Sequence, residues 1–319
     1  MGTPLIEGTV VENRGALFDV MVDGHVVRCL LRGRLKSVKK GDRRQAATPV
    51  AAGDRVKIAM LEPGRGVIEA VLPRESDLSR KAAGSVPLQQ TLVANVEQAV
   101  IVFAAAEPRP DLFLLDRFLV QAMAGGLEPL VCINKTDLVD GESPRLSAGG
   151  QVHARFAVYR KCGFRVLFTS AEAGDGVPEL KKALTDRRSV LCGPSGVGKS
   201  SLLNVVAPGL ALRVGDVGDV THRGRHTTTS ITLLELPFGG WVADTAGLRQ
   251  MGFWEVAAEQ VAAAFPDVAP FIGRCRFSNC SHGSEDGCAI REAVERGEVE
   301  GRRVRSWMQI TSGQRKERA

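Results

Sequence analysis

Residues 193–200, Gly-Pro-Ser-Gly-Val-Gly-Lys-Ser, fill every defined position of the pattern G-x-x-x-x-G-K-[S/T]. They follow the apolar run "RSVLCG" and precede the helix-like "GKSSLLNVVA", the strand–loop–helix context this chemistry needs. Glycines at 193, 196 and 198 let the backbone curl until its N–H groups face phosphate oxygens, and the helix N-terminus adds positive potential. Lys199 reaches the β- and γ-phosphates, which also makes it a catalytic candidate, and Ser200 ligates Mg²⁺. Gly193, Pro194, Ser195, Gly196, Val197, Gly198, Lys199, Ser200 and Ser201 are therefore the expected triphosphate-binding residues.

The stretch "VCINKTDLVD" (131–140) says which nucleotide. Asn134, Lys135, Thr136 and Asp137 have the form N-K-x-D at the end of an apolar strand. The Asp137 carboxylate can accept from the N1–H and N2–H₂ of guanine, an edge adenine does not present. A carboxylate left without those donors is costly, so such a site rejects ATP. "FTSA" ends another strand and offers Thr169, Ser170 and Ala171 as a supporting guanine loop. "WVADTAGL" (241–248) carries D-x-x-G, in which Asp244 meets Mg²⁺ through water and the Gly247 N–H meets the γ-phosphate. Between the phosphate loop and D-x-x-G lies a segment rich in Gly, His and Thr (216–236), where Thr228 is the expected Mg²⁺-closing hydroxyl. The guanine pieces thus precede the phosphate loop, a cyclic rotation of the usual GTPase order. Because domain termini often lie close together, rotation can preserve the sheet and its site.

A second constellation is "RCRFSNCSHGSEDGCAI" (274–290), with Cys275, Cys280, His282 and Cys288 spaced C-x4-C-x-H-x5-C. Three thiolates and an imidazole suit a tetrahedral, structural Zn²⁺. Cys29, Cys132, Cys162 and Cys192 are scattered and read as small core residues.

The elements that must position these residues follow from periodicity. Residues 1–73 hold five short β-branched runs separated by turn signals such as Asp23-Gly24, which predict an OB-type barrel. Residues 74–90 are polar and punctuated by Gly and Pro, and read as a linker. From 91 to 255 buried apolar strands alternate with helices, predicting a mostly parallel sheet covered on both faces. Asp111 is a plausible cap for the helix in "DLFLLDRFLVQAMAGG", and Gly125 ends it. Residues 256–319 hold the metal cluster, a helical segment and a basic tail.

At 319 residues the chain can build several cores, and its composition is that of ordinary globular protein. No apolar run approaches the ~20 residues needed to span a membrane. The N-terminus lacks signal-peptide and myristoylation patterns, so a cytoplasmic setting without membrane partners is expected. The net charge of +6 and pI of 9.1 permit a polyanionic partner. Its cations cluster at 28–44 and at the C-terminus, making Arg32, Arg34, Lys36, Arg302, Arg303 and Arg305 the RNA-binding candidates.

The barrel, the rotated GTPase motifs, "GRHTTT" (224–229) and the C-x4-C-x-H-x5-C cluster together resemble the RsgA family, also called YjeQ. These are circularly permuted bacterial GTPases dependent on the small ribosomal subunit. The resemblance covers essentially the whole chain. It implies GTP hydrolysis stimulated by the small subunit late in its maturation, with barrel and zinc module contacting 16S rRNA. The chain departs from the family's D-T-P-G in having Ala246. Leu248 stands where many GTPases carry a water-positioning glutamine, and leucine cannot orient water. The resemblance implies His226 as the substitute. A monomer is the default. A competing reading is an RNA-binding checkpoint or scaffold that senses nucleotide, with hydrolysis incidental.

Overall fold

The computed structural model describes residues 4–36, 49–81, 89–139, 151–210, 231–244 and 256–318. Among the predicted site residues, His226, Thr228 and Gly247 lie outside this set, as do the side chains of Arg34, Lys36 and Asp244.

Five strands form the N-terminal barrel: β1 (Leu5–Asn13), β2 (Leu17–Val22), β3 (His25–Leu31), β4 (Arg55–Glu62) and β5 (Arg65–Val71). A short helix, α1 (Gly33–Lys36), follows β3. The order β1-β2-β3-β5-β4 closes through a β1–β4 pairing, and only β3–β5 is parallel. Closure leaves an apolar interior that includes Val10, Phe18, Val20, Val27, Ile58 and Ile68. Asp23-Gly24 makes the predicted hairpin turn, with φ of 47° and 80°.

The expected linker is structured where it is described, which corrects that reading. β6 (Asp77–Lys81) pairs with β7 (Gln89–Ala94) in a two-stranded ribbon. Leu78 is fully buried, and Gln121 donates to the Ser79 carbonyl. Arg74 forks onto the buried Asp54 of the barrel at 2.7 and 2.8 Å. A polar sequence misled here because its polar atoms are spent on specific partners rather than on water.

The central sheet runs β10-β9-β8-β11-β13-β12. It is built from β8 (Gln98–Ala104), β9 (Glu128–Asn134), β10 (Arg165–Phe168), β11 (Arg188–Cys192), β12 (Thr232–Glu235) and β13 (Trp241–Asp244). All neighbours are parallel except β12–β13. β8 is buried at every position, as expected of a parallel strand covered on both faces. Its helices are α2 (Leu112–Ala124), α3 (Gln151–Lys161), α4 (Val177–Leu184) and α5 (Lys199–Val206). Asp111 caps α2 by accepting from the Phe113 and Leu114 N–H groups. A single pair, Glu12 with Thr232, joins barrel strand β1 to β12. Strand order reverses between β8 and β11, and in open α/β sheets ligands bind at such a switch point beyond the carboxyl ends of the strands.

The C-terminal part contributes α6 (Ala258–Ala263), α7 (Ala289–Glu295) and α8 (Gly301–Arg318). Its apolar residues Val261, Phe265 and Trp307 share one buried cluster with Phe103, Leu115 and Phe118 of the sheet domain. No helix among the described residues is long and apolar enough to cross a membrane.

Candidate functional site

The loop 193–198 leaves the end of β11 and opens α5. Glycine is required at its first and last positions. A Cβ on Gly193 (φ 140°) would lie 2.0 Å from the Val102 carbonyl oxygen, and one on Gly198 (φ 90°) would lie 2.4 Å from Asn134 Nδ2. The loop is thus packed against β8 on one side and the 134–137 loop on the other. Lys199 Nζ folds back over it, donating to the carbonyls of Gly193 and Pro194 at 2.9 and 2.7 Å. Val197 is buried beneath the loop, while Ser195 and Gly196 are exposed on top. Pro194, Ser200 and Ser201 are half-buried around it.

The 134–137 loop is held by a dense set of bonds. Asn134, only 1% exposed, donates from Nδ2 to the Val197 carbonyl at 2.9 Å. Its Oδ1 accepts from the Ala171 N–H at 3.2 Å and the Thr169 hydroxyl at 3.3 Å. One side chain therefore ties all three predicted segments together. Thr136 is buried and donates to the Thr169 carbonyl at 3.1 Å. The Ser170 hydroxyl donates to Asp137 Oδ1 at 2.5 Å, fixing one carboxylate oxygen. Lys135 adopts a left-handed conformation (φ 62°), which turns the chain out of β9.

Sequence reasoning missed one participant. Lys135 Nζ donates to the Glu107 carbonyl at 2.6 Å, and the Pro108 ring lies beside Gly196. The turn after β8 therefore abuts both loops. The Pro spacing in "EPRP" (107–110) marks a turn, but nothing local indicates where that turn packs.

Cys275, Cys280, His282 and Cys288 converge, with their ligand atoms within 4.8 Å of one another. Cys275 Sγ lies 3.5 Å and Cys288 Sγ 3.6 Å from His282 Nδ1, and the two sulfurs are 3.9 Å apart. A tetrahedron with bonds of about 2.3 Å to sulfur and 2.0 Å to nitrogen has edges of about 3.8 and 3.5 Å, so these residues fit a tetrahedral metal. Glu285 organises the loop by accepting from the Ser281 and Gly283 N–H groups and the Ser281 hydroxyl, bonds that hold its pKa down to about 2. The other cysteines behave as core residues. Burial pushes the Cys132 thiol up to about 11 and that of Cys192 to about 12.

The basic candidates divide. Arg305 is exposed on α8. Arg32 is half-exposed and paired with Glu69. Arg303 cannot be an RNA contact, because it has no exposed side-chain surface. It donates to Asp116 at 2.6 Å, to Asp267 at 3.0 and 3.2 Å and to the Ala264 carbonyl at 2.9 Å, and it lies over the Phe265 ring. Burial opposes its charge, but Asp116 and Asp267 more than offset this and raise its pKa above the ordinary arginine value. Arg302, about a quarter exposed, also donates to Asp116, at 2.9 Å. Tyr159 of α3 donates to the same carboxylate at 2.8 Å. This knot, linking α2 and α3 to α8, had no signal in local sequence, where "GRRVR" reads only as a basic run.

A family model described as RsgA GTPase matches residues 71–254. The chain belongs to the RsgA GTPase family. A Gemmatimonas aurantiaca protein named small ribosomal subunit biogenesis GTPase RsgA is 43% identical over 306 residues, 95% of each chain. A protein of the same name from Moorella thermoacetica is 44% identical over 292 residues, covering 92% of this chain and 91% of that one. Among solved structures, YjeQ from Thermotoga maritima superposes with a TM-score of 0.71 at 31% identity, covering 98% of this chain and 99% of that one. YloQ, titled a circularly permuted GTPase, superposes with a TM-score of 0.67 at 28% identity, covering 98% and 96%. As an RsgA GTPase, this chain is a GTP hydrolase.

Proposed function

We propose that this RsgA-family chain hydrolyses GTP to GDP and phosphate on the small ribosomal subunit, late in its maturation, and that 16S rRNA is its docking surface. The observation that carries the nucleotide assignment is the Asn134 side chain, which ties the 134–137 loop to the phosphate loop and to 169–171. Residues far apart in sequence thereby form one preorganised site, with the free oxygen of Asp137 offered to guanine and Lys199 over the phosphate loop. GTP is read by Asn134, Lys135, Asp137 and the Ala171 loop. A Mg²⁺ ion bound with GTP would supply charge neutralisation for the phosphates. Ser200, Thr228 and, through water, Asp244 are the residues that would hold it, while Gly247 meets the γ-phosphate.

Zn²⁺ is the metal we assign to Cys275, Cys280, His282 and Cys288. Four protein ligands leave no open coordination position, so its role is structural. The units we propose are a barrel at 1–73, a segment at 74–90 that joins it to the sheet domain and whose described residues are structured, the GTPase domain at 91–255 and the zinc-binding part at 256–319. Arg32, Arg34, Lys36, Arg302 and Arg305 are the proposed rRNA contacts, in a cytoplasmic monomer.

The test is hydrolysis of GTP and ATP in parallel, with and without purified small subunits. Stimulation confined to GTP is expected. GTP binding without stimulation would leave nucleotide sensing as the function. We assign the attacking water to His226, so His226→Ala lowers subunit-stimulated turnover and spares GTP affinity; unchanged turnover removes the assignment.

A further inference from the structure

The zinc-binding part carries an aromatic side chain that serves no core. Phe277 is 46% exposed, the one aromatic among the exposed large apolar side chains of the described residues. It belongs to none of the three buried apolar clusters, although Cys275 and Cys280 on either side of it pack against the largest. Its backbone is pinned. Cys275 and Cys280 point to the metal cluster, the Arg276 N–H donates to the Gly287 carbonyl at 2.9 Å, and the Cys280 N–H donates to the Phe277 carbonyl at 3.2 Å. The ring is therefore held outward by a short loop that cannot retract, a preorganised rather than a flexible exposure.

Its neighbours fit a polyanion. The Arg276 guanidinium lies 5.5 Å from the Phe277 ring centre. Arg276 and Arg274 are both exposed, and neither makes an ion pair among the described residues. The described residues of the barrel present no such aromatic side chain. Among those residues the exposed large apolar side chains, Leu5, Ile6, Leu17, Val26, Leu30 and Leu61, are all aliphatic, Arg28 is paired with Asp19, and Arg32 with Glu69. Aliphatic side chains pack against a surface but give a base no π-face to stack on.

We propose that Phe277 is a stacking platform for an unpaired RNA base, with Arg276 and Arg274 taking the flanking phosphates. The aromatic face binds any base, and the rigid loop spares the ordering cost of presenting it. This deepens the rRNA-docking reading, on which it rests for the source of the base. It gives the zinc-binding part a recognition mode distinct from the barrel's.

The experiment uses full-length, metal-loaded protein bound to a non-hydrolysable GTP analogue, with metal content measured for every variant. Two probes are titrated at several salt concentrations: small ribosomal subunits, and a single-stranded RNA of about ten nucleotides set against duplex RNA of equal length. Phe277→Leu keeps apolar bulk but removes the π-face. It should weaken binding to subunits and to single-stranded RNA roughly five- to 150-fold, with an unchanged salt slope. Arg276→Gln should instead make the salt slope shallower by about 0.7. Phe277→Trp should keep affinity within about twofold, and its added emission should be quenched by single-stranded RNA, a readout that stands even where the leucine variant loses metal. Wild-type affinity in Phe277→Leu with full metal, or an unquenched Phe277→Trp, overturns the proposal. Wild-type protein that binds single-stranded RNA through Phe277 but ignores subunits would overturn the ribosomal reading and keep the stacking site.

Discussion

Arg303 sits in a knot whose disruption can be sized from its geometry. Arg303→Met removes a guanidinium with no exposed surface that makes four hydrogen bonds to Asp116, Asp267 and the Ala264 carbonyl. Breaking a buried ion pair from one side costs about 3–5 kcal/mol, because the remaining charge stays buried without its partner. Here Asp116 keeps Arg302 at 2.9 Å and Tyr159 at 2.8 Å, and Asp267 is 12% exposed, so the lower end, about 3 kcal/mol, is expected. Asp116→Leu strands less charge, because Arg303 retains Asp267. The double variant removes both members of the fully buried pair and leaves only the partly exposed Asp267 and Arg302 to find water, so it should cost less than the sum, with a coupling of about 2 kcal/mol. Residues 256–310 share a core with the sheet domain, so the assay must be local. Hydrogen exchange of the α8 amides, with fluorescence of the buried Trp307 during urea titration, reports this interface. GTP affinity should not change, since none of these side chains borders the nucleotide loops. Additivity within about 0.5 kcal/mol would refute the reasoning and reduce the knot to independent contacts.

Asp137→Asn should weaken GTP binding roughly 10- to 150-fold, the worth of hydrogen bonds to a charged group, and leave weak ATP binding unchanged in nucleotide titrations. Gly198→Ala places a methyl 2.4 Å from Asn134 Nδ2 at a φ of 90°, so equilibrium titration should show both phosphate and base recognition lost, with the fold retained by circular dichroism. If Cys275, Cys280, His282 and Cys288 hold the proposed metal, chelating it should alter Trp307 emission, because that ring lies 5.4 Å from the His282 ring, and should deprotect α7 and α8 while leaving exchange in the barrel unchanged.

What the sequence determines here is local. The glycines and lysine of 193–200, the residues of 134–137 and the spaced cysteines are legible from residue type and spacing alone, because each pattern states which groups the chemistry needs, although distant partners hold them in place. Alternation and turn chemistry such as Asp23-Gly24 likewise announce the barrel strands, and Asp111 announces its helix. The tertiary structure alone decided what meets across long separations. Arg303 is a basic surface residue by sequence and a buried one in fact, because Asp116, 187 residues away in the chain, neutralises it. The 74–90 segment reads as a tether, yet Arg74 is committed to Asp54 and Leu78 to the core. The Glu107 carbonyl serves Lys135 only because β8 and β9 lie side by side. A polar or charged side chain carries no mark of whether its partner is water or a distant residue; topology supplies that partner, and with it the difference between surface and core.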